Sequence, residues 1–330
     1  MVKLKDIAEK ANVSIATVSR ALNEDDEIND KTKNKIFEIA KELNYTPDFR
    51  GQALVKKSTK IIGVVVPRVD NVFFAEFIQA IKNTVTGKGY NDILYTSNHT
   101  TKDQYINVFK SGFVDGLIFS FDEICPKIKN LAKEIPVVFV GVDYPEERMK
   151  NIPVITANFQ QGSYATTSHL INLGHKNIAY AGPMSKRYYG YKKAMEENSL
   201  SIIDNFLIDN VHNMDEFDPE IIKKENITGI ISYNDEIAIY LIQLLERSGI
   251  KIPADVSMCG VDNIKFSNSS NPPLTTFDIP KTQMGESAGE LLLNKLSSNK
   301  KIFKNEKRII HKGKLIVRKS TATLKSSVSV

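Results

Sequence analysis

From residue 61 onward the chain alternates short apolar runs with amphipathic segments. The runs IIGVVVP, NDILYTS, DGLIFSF and PVVFVGV are typical of buried parallel strands, and FFAEFIQAIKNTV, KDQYINVFKSG and PKIKNLAKE between them are typical of helices. The alternation restarts at Phe159, where helical segments separate the runs NIAYAGP, TGIISYND and DVSMCGVDN. Because strands and helices that alternate in this way form helix-covered parallel sheets, the pattern predicts an α/β core of two doubly wound units.

The first sixty residues follow a different pattern, that of three short helices. The segment LKDIAEKA has its apolar residues on one helical face, and a tight connection follows it. Ser14 is a good N-cap for a second helix that ends at Leu22, and a third helix begins near Asn29 or Asp30 and runs to Leu43. Two short helices joined by such a turn form a helix-turn-helix unit, so the sequence predicts an N-terminal three-helix domain.

The second of these helices carries a single charge, Arg20, within NVSIATVSRALN. Its outward face consists of Ile15, Ala16, Ser19 and Arg20, whereas solvent-exposed helices usually carry several charged side chains. A helix in the DNA major groove needs short side chains for close approach, and one arginine can hold guanine O6 and N7. The pattern therefore favours a recognition helix, with an exposed alanine-rich helix end as the alternative.

The segment after the third helix contains signals for a short helix and a basic linker. Pro47 and Asp48 are start signals for a helix from Phe49 to about Val55, and KKSTK follows. A helix of about seven residues is not stable alone, so we expect it to form only when a partner holds it. Charge alone does not identify a nucleic-acid binder, because residues 1–60 hold 12 Lys and Arg against 10 Asp and Glu.

The stretch LKDIAEKANVSIATVSRALN, followed by LNYTP and the short linker helix, resembles the lactose/galactose repressor (LacI/GalR) family, and the resemblance covers essentially the whole chain. It implies a transcriptional regulator whose linker becomes a hinge helix on operator DNA and inserts a leucine, here Leu54, into the minor groove. Gly51 departs from a good hinge helix and costs about 1 kcal/mol there. The DNA-binding residues that the resemblance and the capping pattern indicate are Ser14, Ile15, Ala16, Thr17, Ser19, Arg20, Asn23 and Leu54.

The resemblance also implies a two-lobed core like that of the sugar-binding periplasmic proteins, built from two doubly wound parallel sheets. The chain would cross between the lobes near Asn158, Phe277 and Ile309. The expected domains are the helix-turn-helix domain (1–46), the hinge helix and linker (47–60) and the core (61–325), with one lobe at about 61–158 and 279–308 and the other at about 159–277 and 309–325.

A palindromic operator requires two DNA-binding heads, so we expect a homodimer on pseudo-palindromic double-stranded DNA. The amphipathic helices after Phe73 and Pro280 offer surfaces for pairing. The terminal stretch ATLKSSVSV has no leucine heptads, so we expect no tetramerising bundle.

Polar and aromatic residues follow the predicted strands, where ligands bind in open α/β sheets. Rings that stack on sugar faces, together with carboxylate and guanidinium groups that bond to hydroxyls, suit a polyhydroxylated ligand. In sugar-binding members of the family the positions that match Arg187, Asn234 and Asp262 hold hydroxyls. The candidate effector-binding residues are Asn71, Phe73, Phe74, Ser120, Asp143, Phe159, Arg187, Asn234 and Asp262. The alternatives are that Asn234 and Asp235 merely cap the next helix and that Phe73 and Phe74 belong to the core.

One departure concerns the identity of the effector. Many sugar-binding relatives carry an acidic residue where this chain has Gly141 and Val142, and Asp143 is the candidate substitute. The NVFF element and the short loop at Arg187 resemble ribose-type sites of the family, and this resemblance favours a ribose-like ligand. The alternative is a catabolite-control type of regulator, which uses a phosphorylated carrier protein as corepressor.

Catalysis has little support in the sequence. The chain has no HExxH, GxSxG, GxxxxGK[ST] or GxGxxG motif, so a sugar-processing enzyme with a DNA-binding head is the weaker hypothesis, and we expect no catalytic residues and no cofactor. Cys125 and Cys259 are isolated, which argues against a zinc site and a disulfide framework. With no signal-peptide pattern and no apolar run of about 18 residues, we expect a cytoplasmic protein without a membrane partner.

Overall fold

The computed structural model describes residues 2–23, 25–46, 51, 53, 58–96, 104–120, 126–141, 152–203, 217–298, 303 and 308–324. The chain forms two compact units, Met1–Thr59 and Lys60–Val330. None of the helices in the described ranges has the length and apolar character needed to cross a membrane. Among the same residues, no group of three or more His, Cys, Asp and Glu side chains could hold a metal ion.

The first unit is the predicted three-helix domain, with helices α1 (Leu4–Ala11), α2 (Ile15–Leu22) and α3 (Asp30–Glu42). Asn12, in the turn between the first two helices, has the left-handed backbone conformation at φ 56°. In this conformation its backbone amide donates hydrogen bonds to the carbonyls of Ala8 and Glu9 near the end of α1. Ser14 Oγ then accepts a hydrogen bond from the amide of Thr17 at 3.0 Å, which caps α2. These local signals explain why α2 begins where the sequence predicts.

A small apolar core holds the three helices together, because helices of this length are marginal alone. Ile7, Val18, Ala21 and Ile36 are fully buried at its centre. The small side chain of Ala21 permits close contact between α2 and its neighbours. Burial of Val18 and Ala21 orients α2 so that its other face is open to solvent.

The second unit contains a six-stranded parallel sheet with strand order β10-β5-β4-β3-β1-β2. Its elements, which we call the first lobe, are β1 (Ile61–Val66), α4 (Val72–Thr86), β2 (Asn91–Thr96), α5 (Gln104–Val108) with a π-helical turn (Phe109–Phe113), β3 (Gly116–Phe119), α6 (Pro126–Leu131), β4 (Val137–Val140) and β5 (Val154–Ala157), joined later by α12 (Lys281–Leu296) and β10 (Arg308–His311).

A five-stranded sheet with the order β11-β9-β8-β7-β6 forms the second lobe. Its first four strands in the chain are parallel, and β11 pairs antiparallel with β9. The elements are α7 (Phe159–Asn172), β6 (Ile178–Ala181), α8 (Lys186–Glu197), α9 (Glu220–Lys224), β7 (Gly229–Ser232), α10 (Asp235–Arg247), β8 (Ser257–Asp262), α11 (Lys265–Ser269), β9 (Thr275–Asp278) and β11 (Lys314–Ile316).

The structure corrects the sequence-based expectation at the last crossing between the lobes. Strand β10 pairs with β5 of the first sheet as far as His311, so the chain crosses after His311 and not near Ile309. The crossing falls at Gly313, where a Cβ atom would overlap the ring of Phe277. One sheet is also not purely parallel, because the chain returns along β11 directly after this crossing.

Helices α4 and α12 of the first lobe pack closely against each other. Helices α4 and α12 approach at two glycines: a Cβ at Gly285 would lie 2.7 Å from the carbonyl oxygen of Phe77, and one at Gly289 would lie 2.8 Å from Cγ2 of Thr84. A larger residue at either position would push the two helices apart. The beginnings of α4 and α12 are therefore fixed to each other.

Candidate functional site

The outward face of α2 has the exposure that a DNA-reading surface requires. Ile15 is 48% exposed, an unusual environment for a large aliphatic residue, and Ala16 and Arg20 are also exposed. Ser14 and Asn23 lie exposed at the two ends of the helix, and Thr17 and Ser19 are half-buried. All seven side chains therefore lie in or beside one solvent-facing surface of the first unit. Leu54, the eighth predicted DNA-binding residue, lies outside the described residues.

Several of these side chains already have partners within the domain. The hydroxyls of Ser14 and Thr17 lie 2.8 Å apart, and Asn23 Nδ2 donates to the carbonyl of Ser19 at 2.7 Å. Arg20 Nη1 donates to Glu27 Oε2 at 2.9 Å, from the loop before α3. Because both side chains of that ion pair are exposed, it contributes about 0–1 kcal/mol, and DNA can displace it at little cost.

In the second unit, a buried ion pair lies at the carboxyl end of the second sheet. Arg187 Nη2 donates to Asp262 Oδ1 at 2.7 Å, and Nη1 lies 3.5 Å from Oδ2. The two residues are only 7% and 4% exposed. Arg187 is in the first turn of α8, whose N-cap is Ser185, and Asp262 ends β8. The sequence placed both residues at strand ends, and the structure brings them into direct contact.

Aromatic rings and a main-chain carbonyl surround the guanidinium of Arg187. Its central carbon lies 4.9 Å from the ring centre of Phe159 and 4.5 Å from that of Tyr233, and Nη1 also donates to the carbonyl of Tyr233. Gly182 makes room for this arrangement: its φ is 148°, and a Cβ there would overlap Tyr233. The position of the guanidinium is therefore set by contacts on several sides.

Burial raises the pKa of Asp262 to about 6, and the adjacent Arg187 guanidinium opposes that shift. The carboxyl group accepts hydrogen bonds from the guanidinium through both of its oxygens. The backbone here is unusual, with φ 120° at Asp262 and φ 51° at Asn263. Such conformations in residues other than glycine cost of order 1–3 kcal/mol each and persist where the surroundings impose them, often at binding sites.

A buried carboxylate supports the turn that follows Asp262. Asp235 Oδ2 accepts hydrogen bonds from the amide of Ile264 at 3.0 Å and the hydroxyl of Ser267 at 2.5 Å, and Oδ1 accepts one from Thr276 at 2.5 Å. Burial raises the pKa of the Asp235 carboxyl, and these hydroxyl hydrogen bonds oppose the shift. Asp235 is fully buried, so its role is to hold the turn.

The predicted residue next to it, Asn234, serves at least as a helix cap. Its Oδ1 accepts a hydrogen bond from the amide of Ile237 at 2.9 Å, at the start of α10. The helix-cap interpretation is therefore correct for the side-chain oxygen. Asn234 is also buried beside Tyr233 and Asp235 along the chain, so a role for its amide nitrogen in effector binding stays a prediction.

The first lobe makes a polar contact with the second lobe in the region between the carboxyl ends of the two sheets, which we call the cleft. Asn71 caps α4 through Oδ1, which accepts from the amide of Phe73 at 2.9 Å, and its Nδ2 donates to Glu236 Oε2 at 3.1 Å. Arg68 Nη2 donates to the other oxygen of Glu236 at 3.3 Å, and Asp70 orients the same guanidinium. Glu236 lies on α10 of the second lobe, so it accepts one hydrogen bond per oxygen from the first lobe.

The other predicted cleft residues of the first lobe have mixed environments. Phe73 and Phe74 are half-buried, with ring centres 5.3 Å apart in an edge-to-face arrangement, and they pack against the core of the first sheet. Ser120 is buried directly after β3. Asp143 lies outside the described residues.

We expect Glu236→Ala to weaken effector binding by about fivefold, because a partly exposed ion pair and one hydrogen bond together contribute about 1 kcal/mol to closure of the cleft. The matched control is Glu246→Ala at an exposed position on the same helix. Isothermal titration of both variants with the effector measures the difference. Equal affinities in the two variants would show that the contact to Glu236 does not favour closure.

Two residues with contacts at the cleft are absent from the site residues that the sequence predicted. Tyr233 and Glu236 both lie in the segment YNDE at the end of β7, which the strand-end rule indicated as a whole. The sequence does not show which members of this segment reach Arg187 or cross the cleft. Sequence reasoning also did not assign Glu27 to the predicted DNA-binding surface. Nothing in the acidic segment before α3 indicates that one of its carboxylates pairs with Arg20.

Comparisons with known proteins agree with this architecture. A family model described as "Bacterial regulatory proteins, lacI family" matches residues 3–48, and one described as "Periplasmic binding protein-like domain" matches residues 167–321. The transcriptional regulator DegA of Bacillus subtilis (strain 168) is 31% identical, with 97% of this chain and 98% of the relative covered.

Two solved structures are also similar. A lac repressor dimer bound to operator and the anti-inducer ONPF has a TM-score of 0.84 at 25% identity and covers 97% of this chain and 99% of its own. A LacI family regulator from Enterococcus faecalis V583 with bound ribose has a TM-score of 0.70 at 28% identity, and the match covers 80% of this chain and 100% of that regulator's chain. With its helix-turn-helix unit and two-sheet core, this chain belongs to the LacI family of DNA-binding transcriptional regulators.

Proposed function

We propose that this protein is a sequence-specific repressor of carbohydrate-utilisation genes, and that a small sugar bound between the two lobes controls it. The observation that carries the proposal is the buried Arg187–Asp262 pair, flanked by the rings of Phe159 and Tyr233 at the carboxyl end of the second sheet. Charged groups of both signs bond to hydroxyls, and rings stack against the apolar faces of a sugar.

A pentose is the sugar class that we favour. The regulator from Enterococcus faecalis V583 that is 28% identical to this chain was solved with ribose, which supports a similar ligand here. The half-buried rings of Phe73 and Phe74 at the start of α4 are the aromatic surface that we expect the first lobe to offer to the sugar. Closure over one small ligand would let that ligand prefer a single arrangement of the lobes, which is the condition for shifting a conformational equilibrium.

A thermal-shift screen of the full chain tests the sugar assignment. The compounds are D-ribose, other pentoses, hexoses, sugar phosphates and purines. A ligand at about 100 times its Kd stabilises the folded state by about 2.7 kcal/mol, which is readily measured as a rise in Tm. We expect the rise with a pentose. A rise with purines alone would make the sugar assignment wrong, and an operator response only to a phosphorylated carrier protein would favour the catabolite-control alternative.

We also propose that the protein is a homodimer in solution, with the helices α4 and α12 of the first lobe as pairing surfaces. Sedimentation equilibrium at micromolar concentration is expected to give twice the 37.0 kDa chain mass. The similar lac repressor structure is a dimer on operator DNA, which supports this expectation. A stable tetramer or a monomer at that concentration would contradict it.

A further inference from the structure

Lys281, the first residue of α12, has a side chain that is almost completely buried, at 3% exposure. Its Nζ donates to the carbonyl oxygens of Asp262 at 2.5 Å, Asn263 at 3.2 Å and Ile279 at 3.3 Å. The same ammonium lies 3.6 Å from Oε2 of Glu76 on α4. A lysine ammonium has three protons to donate, so these three carbonyls use its full capacity.

Two of these carbonyls belong to the unusual backbone at the effector site. Asp262 and Asn263 both have positive φ, and their carbonyls point to the same ammonium. Asp235 holds the following residue, Ile264, through its amide. The ammonium of Lys281 thus holds the carbonyls of this turn. The carboxylate of Asp235 holds the amide of the residue that follows, Ile264. Without these groups, a β8 end with two positive-φ residues would relax to a more common conformation.

The same ammonium connects the two lobes. Asp262 ends strand β8 of the second lobe, and Asn263 comes directly after it. Glu76 lies in α4 and Lys281 begins α12, and both helices belong to the first lobe. The close contact of α4 with α12 at Gly285 fixes Glu76 and Lys281 relative to each other. A change in the position of the Asp262 main chain is therefore transmitted through one side chain to both helices.

We propose that Lys281 is a positioning residue for the effector: it fixes the main chain of Asp262 so that the carboxylate meets Arg187 and the sugar, and it links that strand end to α4 and α12. This inference rests on the proposed function of the cleft. Lys281 is not one of the residues that would touch the sugar. Its neighbours are main-chain carbonyls and Glu76, so it acts through Asp262.

The test uses the full chain, with D-ribose as the probe and three variants. Lys281→Met keeps the unbranched apolar stem of the side chain but removes its charge and donors, and Lys281→Arg keeps the charge and the donors. The matched control is Lys192→Met, which removes a lysine paired with Glu196 on an exposed face of α8. Two quantities are measured: the Kd for D-ribose by calorimetry, and hydrogen exchange at the amides of Asn263 and Ile264 without sugar.

We expect Lys281→Met to raise the Kd for D-ribose by about tenfold and to speed exchange at the two amides by about tenfold, as loss of hydrogen bonds to a charged group implies. Lys281→Arg is expected to restore most of both properties, and Lys192→Met to change neither. A general structural role predicts another result: a lower unfolding midpoint, with unchanged Kd and unchanged local exchange in the folded protein. That result, or equality of Lys281→Met with the control, would overturn the proposal.

The exchange measurement separates this inference from the sugar assignment. If the unmodified protein binds no pentose, the proposed function is wrong for this class, while the exchange at Asn263 and Ile264 still decides the role of Lys281. If Lys281→Met does not fold, Glu76→Gln replaces it, because this variant keeps the lysine and removes only the negative charge of its half-exposed partner. We then expect exchange about two- to threefold faster at the same amides, and no change would contradict the proposal.

Discussion

Replacing Arg187 by alanine is expected to abolish the response of operator binding to the sugar. Arg187 is expected to donate to sugar hydroxyls, and a hydrogen bond from a charged group contributes about 1.5–3 kcal/mol, so its removal corresponds to a loss of roughly 10- to 150-fold in affinity. Asp262→Ala should have the same effect, because either change leaves one charge buried without its partner. The measurement is operator binding by fluorescence anisotropy, titrated with D-ribose.

The two single variants have a natural control in the variant that carries both changes. Removing both charges avoids the unpaired buried ion, so the double variant should be more stable to urea than either single variant, yet it should still ignore the sugar. All three proteins keep the recognition helix and should bind operator without sugar. If both single variants respond fully to the physiological signal, the cleft between the lobes is not the sensor.

The second large effect is expected at the recognition helix. Arg20→Ala should remove the discrimination between operator and random DNA, because a bidentate guanine contact contributes about 1–3 kcal/mol in each half-site. Weak, salt-sensitive binding should persist, since it depends on phosphate contacts elsewhere. Titration of operator and random duplexes at two salt concentrations measures the ratio of affinities.

Glu27→Gln is the matched control for this prediction. It removes the carboxylate that holds Arg20 Nη1 in the free domain but keeps the arginine. We expect this variant to retain full discrimination, because the arginine that is predicted to read the operator is unchanged and only its partner in the free domain is removed. If Arg20→Ala discriminates operator from random DNA as well as Glu27→Gln does, Arg20 does not read the operator.

The sequence predicts most of the fold because the signals for its regular elements are local. The cap at Ser14 and the apolar face of α1 suffice to place the first two helices, and long apolar runs such as IIGVVVP mark buried strands. Strands β10 and β11 are different, because they are short and only partly buried and so lack a clear apolar run. The last crossing was therefore misplaced by a few residues.

The candidate site could be predicted as a set of strand ends but not as a set of contacts. The rule that ligands bind beyond the carboxyl ends of strands selects Arg187 and Asp262 without showing that they form an ion pair. Lys281 could not be found in this way, since a lysine in the first turn of a helix is usually solvent-exposed. Its burial results from the chain crossing that brings the start of α12 against the end of β8.

The ion pair between Arg20 and Glu27 has a consequence for the search along the genome. While the domain moves over non-operator DNA, the carboxylate partly neutralises the one positive charge on the outward face of α2. Dwell times at wrong sites should therefore be short, because residence there depends on attraction to phosphates. If Arg20 binds guanine at the operator, as we predict, the guanidinium exchanges its carboxylate for the base there, and the same side chain slows departure only where the sequence is correct.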